Sequence, residues 1–325
     1  MIVLTSEDVA SLLPMSEAIE VVDSVMRTVS AGGAELPLRN VVPVGGDNKM
    51  GVMPGALLEP PCFGVKLVSL FPGNAALGLS SHRGAFVLFE AETGAAIAMM
   101  DASFLTALRT AAASAVATRA LARPDACSLA LVGYGEQAEH HLEAILAVRN
   151  IKEVTISGRD ADKAAAFCKN AQQKHPDLAF SSGTDVRASV SGADVICTVT
   201  ASPVPILSHA WLPPGCHVNV VGSSIPTMRE VDDDFVLKTS IWVDYLASTL
   251  AQAGEIVDLI AAKQFSATQI KGEIGAKLSG SIPGRTRDDE QTVYRSLGVA
   301  AQDLAAAQAI LSAAKAAGVG QEVTL

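Results

Sequence analysis

Aromatic residues make up only 4% of this 325-residue chain and charged residues 18%, while hydrophobic residues reach 49%. The apolar mass is therefore mostly Ala, Val, Leu and Ile, ample for a packed core and outside the composition of disordered chains. Basic charge is short as well: 24 Lys and Arg stand against 34 Asp and Glu, a formal charge of −10. Proteins that grip nucleic acid neutralise phosphates with a basic surface, so this balance argues against such a partner. Cysteine is sparse and odd in number. Cys62, Cys127, Cys168, Cys197 and Cys216 are far apart and form no C-x-x-C pair, which predicts reduced thiols in a cytoplasmic protein rather than a disulfide or zinc framework. No apolar run approaches the roughly 20 residues a spanning helix needs. Residues 1–4 run straight into Ser6, Glu7 and Asp8, without the basic and apolar regions of a secretory signal.

What is present reads as α/β. Residues 5–31 have helical spacing, with Pro14 suited to a helix start, Ile19, Val22 and Met26 on one face, and Gly32-Gly33 as the stop. From 36 to 100 the texture changes to short β-rich runs (41–44, 51–53, 65–71, 85–90, 96–99) between Gly and Pro, which predicts a mostly antiparallel sheet with a helix on it. An Ala-rich helix over 103–122 ends before Pro124. Strands at 128–132, 153–157, 195–198 and 217–221 then alternate with helices at 136–148 and 161–174, the rhythm of parallel βαβ units. An Ala- and Leu-rich helix over 292–317 closes the chain.

The string Gly133-Tyr134-Gly135-Glu136-Gln137-Ala138 sits directly after a predicted strand and opens a predicted helix. A G-x-G-x-x-A turn in that setting binds a dinucleotide. The first glycine makes the tight turn, the second admits backbone close to a pyrophosphate, the small third residue lets helix pack on strand, and the anion meets the helix N-terminus. Gly133, Gly135, Glu136, Gln137 and Ala138 are the first cofactor candidates, a purely structural turn being the competing reading. At the end of the next strand an NAD-preferring protein offers a carboxylate to the ribose 2′-hydroxyl. Here Ser157-Gly158-Arg159 stands, with no acid before Asp160. A hydroxyl and a guanidinium suit a 2′-phosphate, so NADPH is the preferred cofactor and NADH the second choice. The plainer alternative makes Arg159 a solvated helix-start residue.

Five strings, in order, carry a resemblance: Val52-Met53-Pro54-Gly55; Leu105-Thr106-Ala107-Leu108-Arg109-Thr110-Ala111-Ala112-Ala113-Ser114; the glycine turn; Asn219-Val220-Val221-Gly222-Ser223-Ser224-Ile225-Pro226 with Arg229-Glu230; and Thr292-Val293-Tyr294-Arg295-Ser296-Leu297-Gly298. Over nearly its whole length the chain resembles the ornithine cyclodeaminase/mu-crystallin family. The resemblance implies a Rossmann-type NAD(P)-binding domain at 123–299. It implies beside it a discontinuous α+β domain for substrate and dimerisation, 1–122 completed by a C-terminal helix at 300–325, and a homodimer formed through the N-terminal sheet. It implies that Arg39, Lys66 and Arg109 hold a substrate carboxylate. Lys66 lies in the apolar run 63–68, where an unpaired charge is costly, so it faces either a ligand or an internal salt bridge; the same choice stands for Arg109 and Arg39. Thr110, Ala111, Ser296 and Gly298 are implied to seat the nicotinamide half, and Thr198, Thr200, Val221, Gly222 and Ser223 are further cofactor-binding candidates.

Two departures point to the reaction. Cyclodeaminases and their alanine-dehydrogenase relatives carry an Asp where this chain has Ser224, and cyclodeaminases carry an acid where it has Gly51. Without those carboxylates, the acid/base work of ornithine cyclisation lacks its groups. The resemblance then favours NAD(P)H-dependent reduction of a cyclic ketimine carboxylate, Δ1-pyrroline-2-carboxylate or its six-membered homologue, to L-proline or L-pipecolate. In that reaction Lys66 and Ser224 are the catalytic candidates, and Ser224 bonds the imine nitrogen or a relay water. A serine does not by itself separate reduction from dehydration. A cis-3-hydroxy-L-proline dehydratase, an ornithine cyclodeaminase and a nucleotide-dependent ligand-binding protein without turnover therefore stay open. The expected partner is a small cyclic imino acid, with no metal, nucleic acid or membrane. His140-His141 is discounted as a metal pair because neighbours on a helix point about 100° apart. His82 reads as a loop histidine with local hydrogen bonds and the acidic run 232–234 as a helix cap; Asp303, an acid in an Ala/Leu helix, is either solvent-facing or, as the resemblance allows, in an ion pair with the first domain whose partner the pattern does not name.

Overall fold

A computed structural model describes residues 1–324, with residues 75 and 76 described in backbone only. The chain divides into two compact units, Met1–Thr110 with Val299–Leu325, and Ala111–Gly298. The division falls inside one long helix.

The first unit starts with β1 (Ile2–Leu4), α1 (Ser6–Leu12) and α2 (Met15–Ser30). The region read as a single helix is therefore two. Pro14 has no N–H to continue α1, and Leu13 before it is extended (φ −137°, ψ 92°), as the residue preceding a proline tends to be. Strands β2 (Ala34–Glu35), β3 (Asn40–Gly45), β4 (Asn48–Leu58), β5 (Pro61–Leu70), β6 (His82–Glu90) and β7 (Ala96–Asp101) follow, then α3 (Ala102–Leu121). With the closing strand, Gln321–Glu322, they form an eight-stranded sheet in the order closing strand, β1, β7, β6, β5, β4, β2, with β3 on the side of β4. Among the described residues only the β1–β7 pair of this sheet is parallel. The closing helix, Ala300–Ala317, packs on α2 and on β4, β5 and β6. Strand alternation decides what meets it. Cys62, Gly64, Lys66 and Val68 of β5 are buried, and the odd-numbered residues between them face the other way.

The second unit alternates β8 (Ser128–Val132), α4 (Glu136–Val148), β9 (Glu153–Ser157), α5 (Ala161–Lys174), β10 (Ala179–Gly183), α6 (Val186–Val190), β11 (Val195–Thr198), β12 (His217–Val220), α7 (Asp233–Lys238), β13 (Ser240–Val243), α8 (Leu246–Gln252), α9 (Gly254–Ala261), β14 (Gly272–Glu273), α10 (Ile274–Leu278) and β15 (Thr292–Arg295). The sheet order is β10-β9-β8-β11-β12-β15-β13-β14, with parallel pairing throughout. This is the doubly wound arrangement, and its order reverses between β8 and β11, where such sheets open a crevice at the carboxyl ends of the strands. The expected helix at 292–317 begins only at Ala300. Residues 292–295 are a buried strand between β12 and β13. Thr, Val and Tyr suit that slot, but four residues are too few to show a period beside the long Ala-rich run that follows.

Candidate active site

The glycine turn joins β8 to α4 as expected. Gly133 has φ +125°, and a Cβ there would lie 2.8 Å from the Val199 carbonyl oxygen, so only glycine fits. Gly135 is the N-cap of α4 and a Cβ there would meet nothing within 4 Å. No side chain caps the first turn of α4, and the space beside Gly135 is open, which suits an anion at the helix N-terminus. Glu136 is exposed in the first turn, and Ala138 is fully buried. Among the described residues, the buried Gln137 side-chain oxygen and the hydroxyls of Ser157 and Ser296 find no hydrogen-bond partner. Ser157 is fully buried at the end of β9, while Arg159 beyond it is exposed. Asp160 is committed elsewhere, capping α5 by accepting from Lys163 N–H at 3.1 Å. The open space at the turn and the orphaned polar atoms fit a dinucleotide.

The loops that follow β11, β12 and β15 are tied down by three buried charged groups, Glu230, Arg295 and Asp244, of which the sequence pattern offers only Asp244, at the end of an apolar strand, as a residue near the cofactor. The Glu230 carboxylate accepts from the Thr198 hydroxyl at 2.8 Å, from Thr200 N–H at 2.9 Å and its hydroxyl at 2.7 Å, and from Gly222 N–H at 2.6 Å. Burial nevertheless raises the Glu230 carboxyl above the usual carboxylate range, with these donors pulling the other way. Arg295 is paired with Glu255, and its guanidinium donates to the Ser223 carbonyl at 2.8 Å and hydroxyl at 2.9 Å and to the Ser296 carbonyl at 3.3 Å. Asp244 accepts from Leu297 N–H at 2.7 Å and Gly298 N–H at 2.6 Å. Gly298 itself has φ +76°. Of the candidates in this region, Thr198 and Ser223 are thus spent on internal partners, and Val221 and Ser224 are half-buried. Glu230 and Arg295 lie in strings that carry the family resemblance, but nothing in those strings tells which groups their side chains meet.

In the first unit, the inner face of β5 and the closing helix bring Lys66 to Asp303, with Nζ at 3.1 and 3.0 Å from the two carboxylate oxygens. Arg109, eight residues into α3, donates Nε to the same carboxylate at 3.0 Å and an η nitrogen to Gln302 at 2.8 Å. All three charged groups are buried. The partner of Asp303 is thus a pair of cations. Desolvation pushes the Lys66 ammonium down to about 7; Arg109 adds to this, Asp303 opposes it, and Arg39 contributes at longer range. Arg39 is half-buried between β2 and β3. Two cations to one carboxylate is an arrangement that a second carboxylate completes. Thr110 and Ala111, also buried, flank the division within α3.

The family model described as ornithine cyclodeaminase/mu-crystallin family matches residues 1–318. The chain belongs to that family. A Δ1-pyrroline-2-carboxylate reductase from Bacillus cereus is 33% identical over 99% of both chains. The ketimine reductase mu-crystallin of Mus musculus is 35% identical over 86% of this chain and 85% of that one. Among solved structures, Δ1-pyrroline-2-carboxylate reductase of Thermococcus litoralis, in complex with NADH and L-proline, matches with a TM-score of 0.95 at 30% identity, covering 99% of this chain and 100% of that chain. Both places where a cyclodeaminase of the family carries an acid lack one here. A Cβ at Gly51 would lie 3.1 Å from Val68, and Ser224 stands in the loop after β12.

The remaining candidates have local roles. His82 opens β6 with its Nδ1 3.0 Å from the Ser81 hydroxyl. Desolvation and then the charge of Lys66 lower its pKa. His141 is fully buried, with Nδ1 on the Gln137 carbonyl at 2.7 Å and Nε2 on the Ser114 hydroxyl at 2.9 Å, and burial holds its ring down at about 4. Asp232 caps α7 through Phe235 N–H at 2.8 Å. Among the described residues no cluster of metal-ligating side chains forms, and no helix is long and apolar enough to cross a membrane.

Proposed function

We propose that this member of the family reduces a cyclic ketimine carboxylate, Δ1-pyrroline-2-carboxylate or its six-membered homologue, to L-proline or L-pipecolate at the expense of NAD(P)H. The observation that carries the reading is the buried group of Lys66 and Arg109 on one carboxylate, the arrangement a monocarboxylate ligand completes. It accompanies full-length similarity to reductases of that name. Arg109, Lys66 and Arg39 bind the substrate carboxylate. With its ammonium poised at about 7, Lys66 holds a proton at neutral pH close to its point of release, the condition for general acid work. Ser224 hydrogen-bonds the imine nitrogen or a water that relays its proton. When bound, the reduced nicotinamide supplies a hydride to the imine carbon. A protonated imine is already electrophilic, so placement supplies much of the rate enhancement. The missing acids at Gly51 and Ser224 disfavour cyclodeamination.

The cofactor is a nicotinamide dinucleotide, held by the turn at Gly133 and Gly135, by Glu136, Gln137 and Ala138, and by the loops of Val221, Gly222, Ser296 and Gly298. NADPH is preferred over NADH. Support comes from Arg159 just beyond β9, whose guanidinium suits a 2′-phosphate, and from Asp160, whose Oδ1 is engaged by Lys163 N–H in the helix cap. The protein works as a homodimer. The outward face of its first sheet carries Val42, Met50, Phe63 and Leu67, all exposed, and an apolar sheet face of this kind calls for a covering partner. The deciding assay follows absorbance of NADPH and of NADH with both ketimines, and runs cis-3-hydroxy-L-proline in parallel. Oxidation of NADPH faster than NADH is expected. No oxidation at either ring size, or turnover of the hydroxyproline alone, would overturn the reductase reading.

A further inference from the structure

Glu230 lies in the segment between β12 and α7, and its main chain is fixed independently of its side chain. Its carbonyl accepts from Ile206 and Leu207 N–H at 2.8 and 3.0 Å, and its neighbour Val231 bridges to Leu207. From that anchor the side chain, fully buried, reaches the carboxyl ends of two adjacent strands. It gathers Thr198 at the end of β11, Thr200 just beyond it, and Gly222 just beyond β12. The two loops are in direct contact, since a Cβ on Gly222 would lie 2.0 Å from the Thr200 carbonyl oxygen. The first of them also meets the glycine turn, through Val199 and Gly133. Glu230 thus fixes the edge of the crevice on the β11–β12 side of the reversal in strand order.

In a sheet of this order a dinucleotide lies across the reversal, one half to each side. Arg159 at the end of β9 marks the adenosine half, which leaves the β11–β12 side for the nicotinamide. We propose that Glu230 is a positioning residue for the nicotinamide half of the cofactor, acting through the loops at Thr198–Thr200 and Gly222 rather than by touching the ligand. The inference rests on the nicotinamide-cofactor reading above. A carboxylate is required because it only accepts. A glutamine, whichever way its amide turns, sets an NH2 against either Gly222 N–H or Thr200 N–H, and a backbone donor cannot rotate away as a threonine hydroxyl can.

The experiment measures affinity by calorimetry for two probes, NADPH and 2′-phospho-ADP-ribose, which lacks the nicotinamide. The proteins are wild type, Glu230→Gln and Thr198→Val. Thr198 is fully buried and its hydroxyl donates to Glu230, so the isosteric valine deletes that contact. The expected result is a loss of NADPH affinity of about tenfold or more in E230Q, with the fragment unchanged within about twofold, and a smaller loss in the same sense, about threefold, in T198V. Equal loss for both probes makes Glu230 merely structural and overturns the proposal, as does no loss for either. If E230Q does not accumulate as folded protein, the T198V ratio decides by the same criterion. Wild type that binds neither probe and does not bind NADH either overturns the cofactor reading itself, a result distinct from an unchanged ratio in the variants; if only NADH binds, the same ratio is read with NADH and ADP-ribose.

Discussion

Lys66 concentrates the chemistry of the first unit. The sequence showed a cation in an apolar strand, and physical chemistry required a partner for it. Which partner was not legible, because Asp303 lies 237 residues away on the closing helix. The pairing sets a pH dependence whose sign is definite. Below about 7 the folded chain carries a Lys66 ammonium, and above it the amine is neutral, so the grip on an anion weakens as pH rises through that value. Stability moves the other way. An unfolded lysine titrates near its ordinary value, so between the two pKa values the unfolded chain binds more protons and rising pH favours the fold. We expect the Kd of a planar heteroaromatic carboxylate with no basic nitrogen to rise as pH passes about 7 in wild type, and to stay flat in Lys66→Arg, whose charge does not titrate. A flat wild-type curve would show that Lys66 does not hold the carboxylate.

The β8–turn–α4 element shows a different relation between fold and function. Its bounds and its glycines were readable because the turn chemistry is local: strand, two glycines, helix. Gly133 is demanded by the fold, since its φ is +125° and Val199 leaves no room for a Cβ. Gly135 is not, for its side has open space. Gly135→Ser separates the two roles. A serine at an N-cap satisfies a first-turn N–H, at a gain or at no more than a few tenths of a kcal/mol relative to glycine, while its side chain occupies the space a pyrophosphate needs. Thermal denaturation of G135S is expected at or slightly above the wild-type Tm, with NADPH affinity reduced about tenfold or more. Wild-type affinity in that variant would remove the turn from the cofactor site. Where such local chemistry is absent the pattern misleads: the four residues of β15 carry no turn signal, and the Ala-rich run after them absorbs them into a helix that begins only at Ala300.

For the molecule as a whole, the charge of −10 is diffuse, whereas the cations that matter are local, so an acidic protein still receives a small anion. The scarcity of aromatic residues does not extend to the outward face of the first sheet, where Phe63 and Phe89 stack with ring centroids 4.9 Å apart. Together with Val42, Met50 and Leu67 they form the face assigned to the dimer. Sedimentation equilibrium is expected to give twice the mass of one chain. Leu67→Asp, exposed and on the face opposite Lys66, is expected to give the single-chain mass with the circular dichroism of the fold retained. A dimeric L67D would place the interface elsewhere.

The sequence by itself determined the α/β class, the parallel βαβ run, the glycine turn between β8 and α4, and the cations Lys66 and Arg109 as residues that must find a partner. Each follows from periodicity, from backbone sterics or from the cost of an unpaired buried charge, all properties of short stretches of chain. Tertiary structure alone decided the identity of the partners: Asp303 between Lys66 and Arg109, Glu230 across the ends of β11 and β12, Arg295 between Glu255 and the Ser223 loop, and Asp244 on the turn at Leu297 and Gly298. A single buried charge has no period to reveal it. What places it is the free energy of meeting its complement, and that complement lies wherever the fold brings distant segments together.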